Sequence, residues 1–132
     1  MPKSAASTAA HITVRFTPNL EANLTNIERY WADNQFPAGF DRLMVELVDT
    51  VVRNLENHPR YGRRFFDRQA QTLQVQQKTQ SVATQLANVI AEAELREYVM
   101  TDYTVLYALV ADTIYLLSIK HHKQLLFDLA KV

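Results

Sequence analysis

Two groups of side chains in this 132-residue chain could act on a charged partner. The first is Lys120-His121-His122-Lys123, a polar step at the end of an apolar run. An imidazole titrates near neutrality, so His121 could exchange a proton, with Lys123 beside it as a cation. The second is arginine-rich: Arg53, Arg60, Arg63, Arg64 and Arg68 face only Glu56 and Asp67 in the same stretch. Such cations gain affinity for phosphates through counterion release, or else pair the chain's own carboxylates in a solvated loop. Arg96 adds one more cation, and Tyr98, Tyr103, Tyr107 and Tyr115 could stack on bases, although their spacing also suits sheet packing. The His121-His122 pair lacks an evident third ligand, and His11 and His58 are not placed near it, so no metal is expected. With two glycines, no Gly-rich phosphate loop and no serine nucleophile signature, no cofactor is expected either.

These side chains must be held by a sheet. Residues 95–128 read as three consecutive strands ending in the histidine-bearing tip. Residues 103–110 (YTVLYALV) are apolar on both alternation faces, as in a central strand, and only Ala111 and Asp112 separate them from 113–119 (TIYLLSI), which is hairpin spacing. An extended chain would turn His121 and His122 to opposite faces. Further upstream, residues 11–17 (HITVRFT) alternate and run into Thr17-Pro18, a helix cap followed by the one helical position where a missing N–H costs nothing. Leu20, Leu24, Ile27 and Trp31 follow at helical spacing until residues 34–39 (NQFPAG) break the run. A second helix carries Phe40, Leu43, Met44, Leu47, Val48, Val51 and Leu55 as a wide apolar stripe and stops at Asn57-His58-Pro59.

The order of these pieces resembles the RelE/ParE superfamily of bacterial toxins. The resemblance is carried by residues 16–31 (FTPNLEANLTNIERYW), 55–64 (LENHPRYGRR), 95–109 (LREYVMTDYTVLYAL) and 116–124 (LLSIKHHKQ). It implies an α+β fold: an antiparallel sheet in β-α-α-β-β-β order, an N-terminal helical hairpin on one face and a short C-terminal helix. It also implies the toxin of a type II toxin-antitoxin pair, with a cognate antitoxin as partner.

Length fits one domain over residues 11–132, preceded by a loose tail, residues 1–10, that lacks the apolar core of a secretory signal. No apolar run reaches the roughly 18 residues of a membrane span, so cytoplasm is expected. Two features depart from the family. Lys plus Arg and Asp plus Glu both number 14, a zero net charge where toxins acting on RNA are usually basic. Residues 69–94 form a glutamine-rich insert in which Val82, Leu86, Val89, Ile90 and Ala93 share a helical face. It could contact an antitoxin, close a homodimer, or pack as a satellite helix over a sheet edge.

Several superfamily members cleave mRNA on the ribosome, which needs a base, an acid and cations around the phosphate. Here the resemblance gives His121 for proton transfer with Arg64 and Arg96 as cations. The ribonuclease branch resembles a basic cluster on its central strands, whereas these strands offer Arg96 and then mostly apolar residues or tyrosine. That scarcity favours the ParE-like branch, which poisons DNA gyrase by binding, with Arg60, Arg63, Arg64, Arg68, His121, His122 and Lys123 as target-binding candidates. The alternatives are a ribosome-dependent endoribonuclease and a degenerate, non-toxic binding module.

Overall fold

The computed structural model describes residues 11–65 and 93–131. It is a mixed α+β structure in which helices lie against a five-stranded sheet of order β1-β5-β4-β3-β2. The strands are β1 (Thr13–Phe16), β2 (Arg63–Arg64), β3 (Glu94–Val99), β4 (Tyr103–Val110) and β5 (Thr113–His121). β4 lies at the centre, as its two apolar faces require, paired antiparallel to β3 and to β5. β1 pairs parallel to β5, with Thr13 opposite Thr113 and Phe16 opposite Leu116. The sheet is therefore mixed, which corrects the expectation of a purely antiparallel one. Alternation reveals faces but not direction, and a strand joined to its neighbour by a long crossover is free to run parallel.

Helix α1 (Pro18–Asp33) starts where Thr17, in extended geometry, accepts the Leu20 N–H on its hydroxyl. The second helix begins as α2 (Ala38–Val45), widens into a π-helical stretch (Glu46–Val52) and ends as a final α turn, α3 (Arg53–Asn57). Its buried positions, Leu43, Leu47, Val51 and Leu55, recur every fourth residue. In a pure α-helix a four-residue step turns about 40° too far, and the wider π turns absorb that drift. The same adjustment leaves Val48 exposed, although it was assigned to the apolar stripe.

Leu20, Leu24, Leu43, Leu47, Val51 and Leu55 share one core with Tyr98, Tyr103, Val105, Tyr107, Leu109, Ile114, Leu116 and Ile119 on one sheet face. The opposite face carries a smaller core, Leu95, Leu106, Ala108 and Leu117, closed by Phe127. A bulge between the Leu106–Ser118 and Tyr107–Leu116 pairs keeps β5 in step with both faces.

β1 ends at Phe16, which would leave the rest of the β5 edge bare. Two asparagines one helical turn apart on α1 take over its hydrogen bonding. Asn19 Nδ2 donates to Leu117 O (2.8 Å), and Asn23 Oδ1 accepts from Ile119 N (3.0 Å) and Ser118 Oγ (2.6 Å). Both are buried, and both also donate to Asp128 O, fastening the C-terminal segment. That carbonyl serves both asparagine side chains instead of a helical N–H, with Ser118 Oγ 2.9 Å away. Between His122 and Lys131 the chain forms turns and bends, so the expected short C-terminal helix is not there. Of the proposed insert, residues 69–92 and their helix lie outside the described residues, and Glu94 belongs to β3. The proposed tail, residues 1–10, also lies outside them.

Candidate functional site: two poles of the sheet

The arginine pole begins at the end of the second helix. His58 leaves helical geometry before Pro59, and the turn that follows is pinned by Tyr107 from the central strand. The Tyr107 hydroxyl donates to Pro59 O (2.9 Å) and accepts from Gly62 N (3.0 Å). Burial pushes its pKa up, so it remains a donor throughout the physiological range. Gly62 sits so close to β3 that a Cβ would lie 2.4 Å from Glu97 O and 2.8 Å from the Tyr107 ring. Only glycine lets the backbone make this approach.

From that turn the chain enters β2, which places Arg63 opposite Glu97 and Arg64 opposite Arg96. Arg63 Nε meets the buried Glu97 carboxylate at 3.0 Å. Arg60 Nε reaches both oxygens of Glu94 at 3.2 Å. Arg96 bonds the same Glu94 carboxylate and the carbonyl oxygen of Gly62. Burial alone would raise the Glu94 pKa, but the hydrogen bonds from Arg96 and Arg60 and their charges hold it below the ordinary carboxylate value. Arg60, Arg63 and Arg96 are thus knitted to the chain's own carboxylates. Arg64 is exposed on β2, and Arg68 lies outside the described residues.

The histidine pole sits at the far end of β5. His121 pairs with Tyr103 across the strands and packs edge-on against its ring at 5.2 Å. The Tyr103 hydroxyl accepts from Trp31 Nε1 (3.1 Å), and burial raises its pKa. His121 N donates to Gln124 Oε1 (2.9 Å) and Lys123 N donates to His121 Nδ1 (3.1 Å), so the proton of the neutral ring sits on Nε2. His122 turns back, with Nε2 2.9 Å from Tyr103 O and its ring 6.4 Å from that of His121. The two imidazoles share one neighbour, contrary to the expectation that an extended chain would separate them. β5 ends at His121, and the alternation ends with it.

These poles do not converge. His121 stands opposite Tyr103 and Arg96 opposite Tyr107, on strands either side of β4. Four residues along the strand and two strand spacings put their backbones roughly 17 Å apart. Tyr98, Tyr103 and Tyr107 are core residues, with Tyr61 stacked on Tyr98 at 5.3 Å, and Tyr115 is half-buried on the opposite face. Stacking on an added base is not open to the three core tyrosines in this arrangement. Among the described residues, no three His, Asp or Glu side chains converge as a metal site.

The residues that sequence reasoning passed over are the partners. Glu94 and Glu97 neutralise the arginines, and Asn23, Asn26, Ile27, Trp31 and Gln124 build a cleft of about 530 Å³ beside His121 and Lys123. Glu94 and Glu97 on either side of Arg96 were a visible signal, but the register against β2 was not.

No described helix is long and apolar enough to cross a membrane. Comparison with curated proteins finds no match. The model of the ParE toxin family, described as the ParE toxin of the type II toxin-antitoxin system parDE, matches residues 14–126, from the first strand through the C-terminal turn. The chain belongs to this family and is the toxin of a type II toxin-antitoxin pair, with a cognate antitoxin as its partner.

Proposed function

We propose that this toxin arrests growth in the cytoplasm by binding DNA gyrase, and that it works as a ligand of the enzyme rather than as a nuclease. The observation that carries the reading is the separation of His121 from Arg96, with Arg60, Arg63 and Arg96 committed to Glu94 and Glu97. RNA cleavage requires acid, base and cation within hydrogen-bond reach of one phosphate. A binding surface has no such requirement, and Arg64 at one pole and His121, His122 and Lys123 at the other can each serve it.

The antitoxin would lay an amphipathic helix, or add a strand, over apolar surface, a mode that uses edges and grooves already formed. Tyr30, Val45 and Val48, exposed on the two helices, and Phe36, exposed in the turn between them, offer such surface. Induction of the toxin should cause DNA breaks and a damage response while transcripts stay intact. Mapping transcript 5′ ends after induction tests this. Cuts phased within translated codons, reduced by about a hundredfold or more in His121→Ala or Arg64→Ala, would establish the ribonuclease alternative instead. Neither effect, in a protein that still binds its antitoxin, would identify a degenerate binding module.

A further inference from the structure

The cleft between α1 and the end of β5 has an uneven supply of hydrogen-bonding groups. The amide and imidazole acceptors of its lining are already committed, which leaves the Asp128 carboxylate, whose Oδ1 takes Ala130 N, and the Tyr30 hydroxyl. Asn23 Oδ1 takes Ser118 Oγ and Ile119 N, Gln124 Oε1 takes His121 N, Asn26 Oδ1 takes Arg29 Nη1, and His121 Nδ1 takes Lys123 N. Each of those amide oxygens faces an N–H donor, which fixes the orientation of the amide. The uncommitted donors are more numerous. His121 Nε2–H, the Lys123 ammonium, the Gln124 amide N–H groups and the Tyr103 O–H meet no acceptor among the described residues.

The walls between these donors are apolar or aromatic, formed by Ile27, Trp31 and Ile119. A volume of about 530 Å³ is enough for a small organic ligand. Lys123 supplies one positive charge and Asp128, also in the lining, one negative. That balance suits a monoanion better than a phosphate dianion, which Asp128 would repel more strongly.

We propose that this cleft binds a small aromatic carboxylate, its ring against Ile27, Trp31 and Ile119 and its oxygens on His121, Lys123 and Tyr103. A carboxylate supplies only acceptors, which is what the uncommitted donors lack, and charge-assisted bonds of this kind are the stronger ones. The assignment does not depend on gyrase being the target, and its test needs neither gyrase nor antitoxin.

Trp31 is the only tryptophan in the chain and its indole N–H bonds Tyr103 at the cleft, so its fluorescence reports occupancy. Phenylacetate, which does not absorb where tryptophan is excited, is titrated into the purified full chain. The expected result is a saturable change with a Kd of about 1 mM or tighter. Phenylacetamide and acetate, lacking the charge and the ring respectively, should bind at least about tenfold more weakly. Lys123→Gln, at an exposed position, should weaken phenylacetate by about tenfold without moving the unfolding midpoint. No saturable response by about 10 mM, equal affinity for acid and amide, or an unimpaired Lys123→Gln variant would each overturn the proposal. Displacement by inorganic phosphate at lower concentration than phenylacetate would overturn it in favour of a plain anion site.

Discussion

Tyr107 serves both the core and the arginine pole. Its ring is fully buried in the centre of the sheet, and its hydroxyl is the joint between Pro59 O and Gly62 N. Tyr107→Phe keeps the packing but leaves two backbone groups at the turn without their partner, which should cost about 2 kcal/mol in a urea titration. Glu94 sets a different dependence. Its folded pKa is depressed, so the stability it contributes is present above the unfolded carboxylate value of about 4.3 and is lost as pH falls through the lower folded value. Glu94→Gln should therefore destabilise at pH 7, and the gap to the parent should close in titrations repeated at progressively acidic pH. A gap that held constant down to pH values below the folded pKa would show that the carboxylate's charge is not what stabilises. Pairing of the arginines with the chain's own carboxylates was one of two readings the sequence allowed, but which carboxylates they would meet was not legible from their spacing. Arg63 meets Glu97 and Arg60 meets Glu94 only because a two-residue strand pairs in one register, and two residues carry no periodicity to read.

Among the elements, local chemistry was legible and direction was not. Thr17-Pro18 opens α1 because the hydroxyl and the missing N–H act within one turn, and the apolar run 103–110 lies between two neighbours because neither of its faces tolerates water. The parallel pairing of β1, the π-helical widening and the turns after His122 depend on contacts distant in sequence. The hairpin between β4 and β5 turns on Ala111 and Asp112, and Ala111 takes φ 55°, a left-handed conformation that costs a Cβ-bearing residue about 1 kcal/mol. Ala111→Gly relieves that strain at the expense of greater freedom when unfolded, and should raise stability by roughly 0.5 kcal/mol. A lower midpoint in thermal unfolding would mean that the alanine methyl is supporting the turn.

At the scale of the whole molecule, the sheet separates two charged poles and the helices cover the face between them. The toxin family was legible in the order of elements and the HPRYG turn, residues 58–62, and the family match covers that span within residues 14–126. The target was not legible, since it depends on whether cations and imidazoles meet in space. In the described residues the arginines stand apart from the imidazoles, with Lys123 the cation beside His121, which leaves surfaces for holding a partner. The most direct test is a supercoiling assay with purified gyrase and the purified chain, with and without its antitoxin. Loss of supercoiling with accumulation of cleaved DNA, reversed by the antitoxin and reduced only a few-fold in His121→Ala, is the predicted result, the loss of one binding contact. Full supercoiling at toxin concentrations that saturate the antitoxin would contradict it.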